Sequence, residues 1–203
     1  FRAEGPFTVV ERPADGQEQP TQKWADLSGD EGGVTLYNDS RYGCDALGTR
    51  LRLTLLRNPY GPDLDPDSGR HVVRFALESH GPGLPNADLV RAGLAFNRPL
   101  LGVVTARPAR RARPPVFEIL GAPAVVVTAL RRAEHSSGIL LRLFETGGKP
   151  CRAVIRAGLR LRSAREVNFQ ENPVGPSLPA RRNRVSCVFR PFEVKTLQLE
   201  ADW

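Results

Sequence analysis

An all-β fold of antiparallel sheets is what this chain of 203 residues predicts, and three observations carry the prediction. Apolar and polar residues alternate with period two in stretch after stretch, which puts successive side chains on opposite faces of a strand. The 18 prolines and 19 glycines punctuate these stretches at intervals suited to turns. A single segment has the longer period of a helix. With 40% hydrophobic residues the chain can bury a real core, as one domain or two small ones at roughly 100 to 200 residues each.

The first clear strand signal is Val34-Thr35-Leu36-Tyr37. The next is the RLRLTLL run from Arg50, where Leu51, Leu53 and Leu55 point to one face while Arg50, Arg52 and Thr54 point to the other. Both read as half-buried antiparallel strands. Between them, Asn38-Asp39-Ser40-Arg41-Tyr42-Gly43 has ordinary turn chemistry: Asn and Asp bond their own backbone, and Gly43 closes the bend. Further strands are expected over 71–78, 100–105, 116–120, 124–132, 138–144, 151–161, 184–189 and 192–199. One helix is expected over 87–96, with Asn86 as N-cap and Leu89, Val90, Leu94 and Ala95 on one side, stopping before Pro99. The Arg/Pro stretch 107–115 reads as a linker between a first β region, 1–106, and a C-terminal β-sandwich, 116–203. A Pro-rich stretch over 172–184 reads as a long surface connection.

Composition excludes several functions. The net charge of +7 is spread along the chain, and only Lys23, Lys149 and Lys195 are lysines. Its densest basic run, 107–115, has no interleaved aromatic on which a base could stack, so no nucleic-acid partner is expected. No apolar run approaches the roughly 18 residues that would span a bilayer, so no membrane partner is expected either. Cys44, Cys151 and Cys187 form no C-x-x-C pair and leave an odd thiol, which argues against a disulfide framework or zinc site and suits a reducing, cytoplasmic setting. His71, His80 and His135 lie far apart. Asp63, Asp65, Asp67 and Gly69 imitate the opening of a calcium loop, but Arg74 stands where a bidentate Glu is required, so an Asp/Pro turn is expected. No nucleophile elbow or phosphate-binding Gly-rich loop occurs. The chain contains no Met and reads as a piece of something longer. Homo-oligomerisation is left open by the sequence.

Residues 23–71 carry a run of short motifs. Trp24, Asp26, Leu27 and Ser28 form a W-x-D-L-S turn; Asn38, Asp39, Arg41, Tyr42 and Gly43 fit N-D-x-[KR]-Y-G; Arg57 and Pro59 close L-R-L-x-L-L-R-x-P; and Asp67, Gly69 and His71 end D-x-G-x-H. Together they resemble the signature stretch of the C-terminal β region of glycoside hydrolase family 38 α-mannosidases, in the form its cytosolic and prokaryotic branch shows. Residues 88–101 resemble that family's helix ending in N-x-P-L, and 190–200 its closing strand, whereas Ala46 and Leu47 depart from its pattern.

The resemblance implies that the first β region belongs to a galactose-mutarotase-like supersandwich and is followed by a small β-sandwich. It implies a retaining α-mannosidase whose two catalytic aspartates and Zn2+ ligands lie in an N-terminal catalytic domain of the same polypeptide. Retaining enzymes set two carboxyl groups about 5 to 5.5 Å apart, and no residue here matches those motifs. No catalytic or metal residue is therefore assigned to this chain, which by itself should be inactive.

What the resemblance does place at the mannoside site is an arginine, aligned with Arg57, whose planar fork can donate two hydrogen bonds to vicinal hydroxyls or hold a carboxylate. An arginine facing solvent at a strand end is the alternative. Asn38, Asp39 and Tyr42 become candidates for the pocket edge or the interface with the catalytic domain. His71 is expected as a buried, hydrogen-bonded residue beginning a strand. A second function class is a non-catalytic carbohydrate- or protein-binding β-sandwich, but Trp24, Trp203 and the three tyrosines form no clustered aromatic platform.

Overall fold

The computed structural model describes residues 1–59, 61, 64–104, 106 and 115–202. The chain divides into two compact units, Phe1–Leu100 and Leu101–Trp203. Of the expected linker only Pro115 is described; 107–114 lie outside the described residues, as does Asp63.

In the first unit, β1 (Arg2–Gly5), β2 (Thr8–Glu11), β4 (Trp24–Gly29), β5 (Gly32–Asn38) and β8 (Phe75–His80) form an antiparallel sheet in the order β2-β1-β4-β5-β8. A second sheet, β3-β6-β7, is built from β3 (Gln19–Pro20), β6 (Gly43–Leu47) and β7 (Arg50–Leu53). The helix α1 (Asn86–Asn97) lies against the larger sheet. It comes so close that a Cβ on Gly93 would stand 2.8 Å from Trp24 Cδ1. One turn on, Asn97 Nδ2 donates to the carbonyls of Gly93 and Asn38, both at 2.9 Å, and the Phe96 ring lies 6.3 Å from that of Tyr37. Val34, Phe75 and Leu77 of the same sheet remain exposed.

The second unit is a sandwich. Its larger sheet runs β10-β11-β16-β13-β14, from β10 (Val125–Arg132), β11 (Ile139–Glu145), β13 (Arg160–Val167), β14 (Pro173–Leu178) and β16 (Val194–Asp202). Its smaller sheet runs β15-β12-β9, from β9 (Phe117–Leu120), β12 (Cys151–Ala157) and β15 (Arg184–Phe189). Leu141, Leu143, Leu197 and Leu199 from one sheet meet Ala153, Ile155, Val185 and Phe189 from the other in a continuous apolar core. This is the alternation of inward and outward residues that sheet-on-sheet packing requires. The expected all-β class with one short helix is what the described residues adopt.

Several expected elements differ, each for a physical reason. Trp24-Ala25-Asp26-Leu27-Ser28 is no turn but the strand β4, in the interior of its sheet; its polar Asp26 is buried because it is fully hydrogen-bonded. The single strand expected over 151–161 is two, β12 and β13. They belong to different sheets, and the chain changes sheet at Gly158, where a Cβ would stand 2.9 Å from the Pro115 carbonyl oxygen. The Pro-rich connection contains β14, an edge strand, where a residue without N–H costs no ladder bond on its outer side. Residues 100–104 form no strand, and Leu100, Leu101, Val103 and Val104 are exposed without a pairing partner among the described residues. Asn86 does not cap α1 but is its first residue, because its Oδ1 accepts from Arg2 instead, at 3.0 Å. Ala95 is exposed, and the buried helix residues are Ala87, Leu89, Val90 and Gly93. His71 is exposed, donating from Nε2 to the Asp67 carbonyl at 2.6 Å, and the strand it was expected to begin starts at Phe75.

Candidate functional site

Antiparallel pairing of β6 with both β3 and β7 brings three distant stretches together. Gln19 pairs with Cys44 and Cys44 with Leu53, and the register continues through backbone bonds from Thr21 N–H to the Tyr42 carbonyl, 2.8 Å, and from Thr54 N–H to the Gly43 carbonyl, 2.9 Å. Tyr42 precedes β6 and Arg57 follows β7, so both arrive at one end of this small sheet. Glu18 precedes β3, alongside the body of β6, and its side chain reaches toward that end past Gly43 to Thr54 and Arg57. There an open depression of about 480 Å³ is lined by Glu18, Arg41, Tyr42, Thr54 and Arg57, among others. Arg57 is 76% exposed, and its Nη2 pairs with Glu18 Oε2 at 2.6 Å. Thr54 Oγ1 donates a short hydrogen bond to the other oxygen of the same carboxylate. Tyr42 is 60% exposed. The depression thus offers a guanidinium fork, a carboxylate and a phenol to a polar, hydroxyl-rich ligand.

Asn38 and Asp39 do not line this depression. Asn38 is fully buried at the end of β5; its Oδ1 accepts the Arg41 N–H at 2.9 Å and fixes the turn, as Asn does in Asx-turns. Its own carbonyl is the one held by Asn97. The Asp39 carboxylate accepts from Arg74 Nε at 2.6 Å and Ser40 Oγ at 3.1 Å, and the bond from Arg74 holds its pKa below the usual carboxylate value. Arg57 and Tyr42 are therefore brought together, while Asn38 shapes the turn that carries Tyr42 and Asp39 pairs with Arg74. Gly43 does more than close a bend: a Cβ there would collide with Glu18 Oε1. Sequence reasoning missed Glu18 and Thr54. Glu18 lies in a stretch with no motif, and only the β3–β6–β7 pairing carries it to Arg57.

The other polar motif residues form a separate buried cluster. Asp26, with no exposed surface, accepts from Arg2 Nη2 at 2.6 Å, Arg2 Nε at 3.1 Å, Ser28 Oγ at 2.9 Å, Thr35 Oγ1 at 2.9 Å and His80 Nε2 at 2.7 Å. Burial works to raise its pKa, but the hydrogen bonds from Arg2, His80, Ser28 and Thr35 outweigh it and hold the carboxyl below its ordinary range. His80 Nδ1 meets the Gly81 carbonyl at 2.7 Å. A carbonyl and a carboxylate are both acceptors, so these two contacts favour the imidazolium, which carries a proton on each ring nitrogen. The Gly81 bond, joined by that to Asp26 and opposed by burial, raises its pKa. Arg2 also donates to the Leu84 carbonyl at 2.8 Å. This cluster ties β1, β4, β5 and β8 to the start of α1.

No three His, Cys, Asp or Glu side chains come together as metal ligands among the described residues. Asp65 accepts from Ser68 Oγ, and positive φ angles at Asp67 (52°) and Gly69 (121°) describe a turn. Also among the described residues, no helix is long and apolar enough to cross a membrane.

Residues 1–65 match the model of the glycosyl hydrolases family 38 C-terminal domain, and 124–197 that of the family's C-terminal beta sandwich domain. Human alpha-mannosidase 2C1 is 34% identical over 181 residues, an alignment covering 87% of this chain and 17% of that protein. An alpha-mannosidase of Saccharomyces cerevisiae is 28% identical over 198 residues, again covering 87% of this chain and 18% of the relative. The chain thus spans under a fifth of the length of these relatives. In fold, it resembles the crystal structure of an alpha-mannosidase from Enterococcus faecalis V583, with a TM-score of 0.77 at 19% identity, over 98% of this chain and 24% of the other.

Proposed function

Because the chain belongs to glycosyl hydrolase family 38, within the C-terminal domains of its α-mannosidases, we propose that it is the C-terminal β portion of a zinc-dependent retaining enzyme that hydrolyses terminal α-D-mannosyl residues. In this reading residues 1–106 form part of the supersandwich, 107–115 link, and 116–203 form the C-terminal sandwich. The catalytic aspartates and the zinc belong to an N-terminal catalytic domain of the same polypeptide. The residues described here do not fit the ion, since they assemble no ligand set for it. Their part is to scaffold the catalytic domain and to contribute contacts to the mannoside.

One observation carries the contact role: Arg57 and Tyr42, remote in sequence, converge on one depression with their polar groups exposed. A guanidinium fork held there matches the spacing of neighbouring sugar hydroxyls, with which it makes charge-assisted bonds. Asn38 supports it indirectly, through the turn that leads to Tyr42. A cytoplasmic setting is supported by the free thiols. Cys44 and Cys187 are buried, which pushes their pKa up to about 12 and about 11 and makes them poor nucleophiles.

The test is Arg57→Ala in the complete enzyme, assayed on a chromogenic aryl α-mannoside. Loss of a charge-assisted contact to substrate should lower kcat/KM about tenfold or more. Unchanged kinetics would take Arg57 out of the site. The 203-residue chain alone should leave the same substrate intact.

A further inference from the structure

We infer that Glu18 is a positioning residue: its carboxylate fixes the Arg57 guanidinium in the orientation that receives the sugar. The inference rests on the preceding reading of Arg57 and goes beyond it, since no motif of the sequence singles out Glu18. Three observations carry it.

The first is geometric. Arg57 lies beyond β7, on a segment that pairs with no strand among the described residues, and its Nη2 is anchored 2.6 Å from Glu18 Oε2. A long arginine on such a segment samples many rotamers. An anchor that selects one of them before substrate arrives removes an ordering cost from binding.

The second is that the anchor is itself held. Thr54 Oγ1 donates to Glu18 Oε1, and the backbone N–H of Thr54 is bound to the Gly43 carbonyl, so β6 and β7 together set where the carboxylate stands. Gly43 leaves Glu18 the space it occupies, since any Cβ at 43 would collide with that carboxylate.

The third is that stability does not explain the arrangement. Arg57 is 76% exposed and Glu18 28%, and ion pairs so open to solvent add little to folding. With Oε1 taken by Thr54 and Oε2 by one end of the guanidinium, the remaining N–H groups of Arg57 have no partner among the described residues and stand ready for a ligand in the depression.

The experiment is a double-mutant cycle in the complete enzyme, with Glu18→Ala, Arg57→Ala and the double variant assayed on the aryl α-mannoside and melted by circular dichroism. Glu18→Ala should lower kcat/KM about tenfold, mainly through KM, at an unchanged melting temperature. In the Arg57→Ala background it should cost nothing further, because the group it positions is gone. Glu18→Gln keeps the side-chain volume and the Thr54 bond but loses the charge. It should fall between wild type and Glu18→Ala, and it serves in place of the alanine variant should that fail to fold. Independent, multiplicative losses from the two positions would overturn the inference. So would wild-type kinetics in both Glu18 variants beside an impaired Arg57→Ala, a result that leaves Arg57 in the site. If Arg57→Ala is itself without effect, the reading of Arg57 fails first and the role of Glu18 with it.

Discussion

Both units bury apolar side chains, but they differ in what else holds their interiors. In the second, leucines from β11 and β16 meet Ile155, Val185 and Phe189 across the sandwich, and the stabilising force is the removal of apolar surface from water. In the first, buried Trp24, Leu36, Leu89 and Val90 are joined by a carboxylate without exposed surface, Asp26, ringed by Arg2, His80, Ser28 and Thr35. Part of that unit's apolar surface, at Val34, Phe75 and Leu77, remains exposed. A hydrophobic core tolerates volume-conserving substitutions at modest cost, whereas a buried charge network is favourable only when every partner is present. The second unit's two sheets are therefore held by one apolar cluster, and the first unit's strands by fixed polar geometry in addition to apolar burial.

The largest test of this contrast is Phe189→Ala, which opens a cavity between the two sheets of the second unit. It should cost about 3 to 5 kcal/mol in denaturant unfolding. A cost below about 1 kcal/mol would mean that the sandwich interior is not what holds that unit. Next is Asp26→Ala in the first unit. Breaking a buried pair costs about 3 to 5 kcal/mol; because Arg2 is 17% exposed and can recover some hydration, about 2 to 3 kcal/mol is expected here. An unchanged midpoint would show the network to be ornamental.

The smallest effect sharpens the comparison through pH. His80 has a raised pKa, so its contribution is complete below the unfolded imidazole value, about 6.5, and is lost as pH rises through the folded value. Asp26 has a lowered pKa, so its contribution is complete above the unfolded value, about 3.9, and is lost as pH falls through the folded one. The melting temperature of His80→Gln should therefore lie furthest below wild type near pH 6 and approach it in alkali. A constant gap would mean that the imidazolium charge plays no part.

Much of this was legible because period two is a strong signal. It located β7, β12 and β15, and turn chemistry located the bend at Asn38. The errors lie where long-range partners overrule local preference. Asp26 reads as a turn residue until Arg2 and His80 are seen to satisfy it. The prolines of β14 read as loop until that strand is found at an edge. Of the histidines, motif position singled out His71 and nothing singled out His80. His71 was expected inside and is exposed, while His80, 54 residues from Asp26 along the chain, sits in the buried network. The depression was half legible. Arg57 and Tyr42 lie in motifs, but Glu18 and Thr54 enter through strand pairing, which one sequence does not display.

The close seating of α1 on Trp24 has a further consequence. With only a hydrogen atom at Gly93 the helix lies deep enough for Asn97, one turn later, to grip the Asn38 carbonyl, and Asn38 in turn sets the bend leading to Tyr42. A methyl group at 93 would lift the helix off the indole, and the displacement would be relayed along this train of bonds to the phenol at the rim. The width of one side chain on the helix thus gauges the shape of a hollow that the helix does not line.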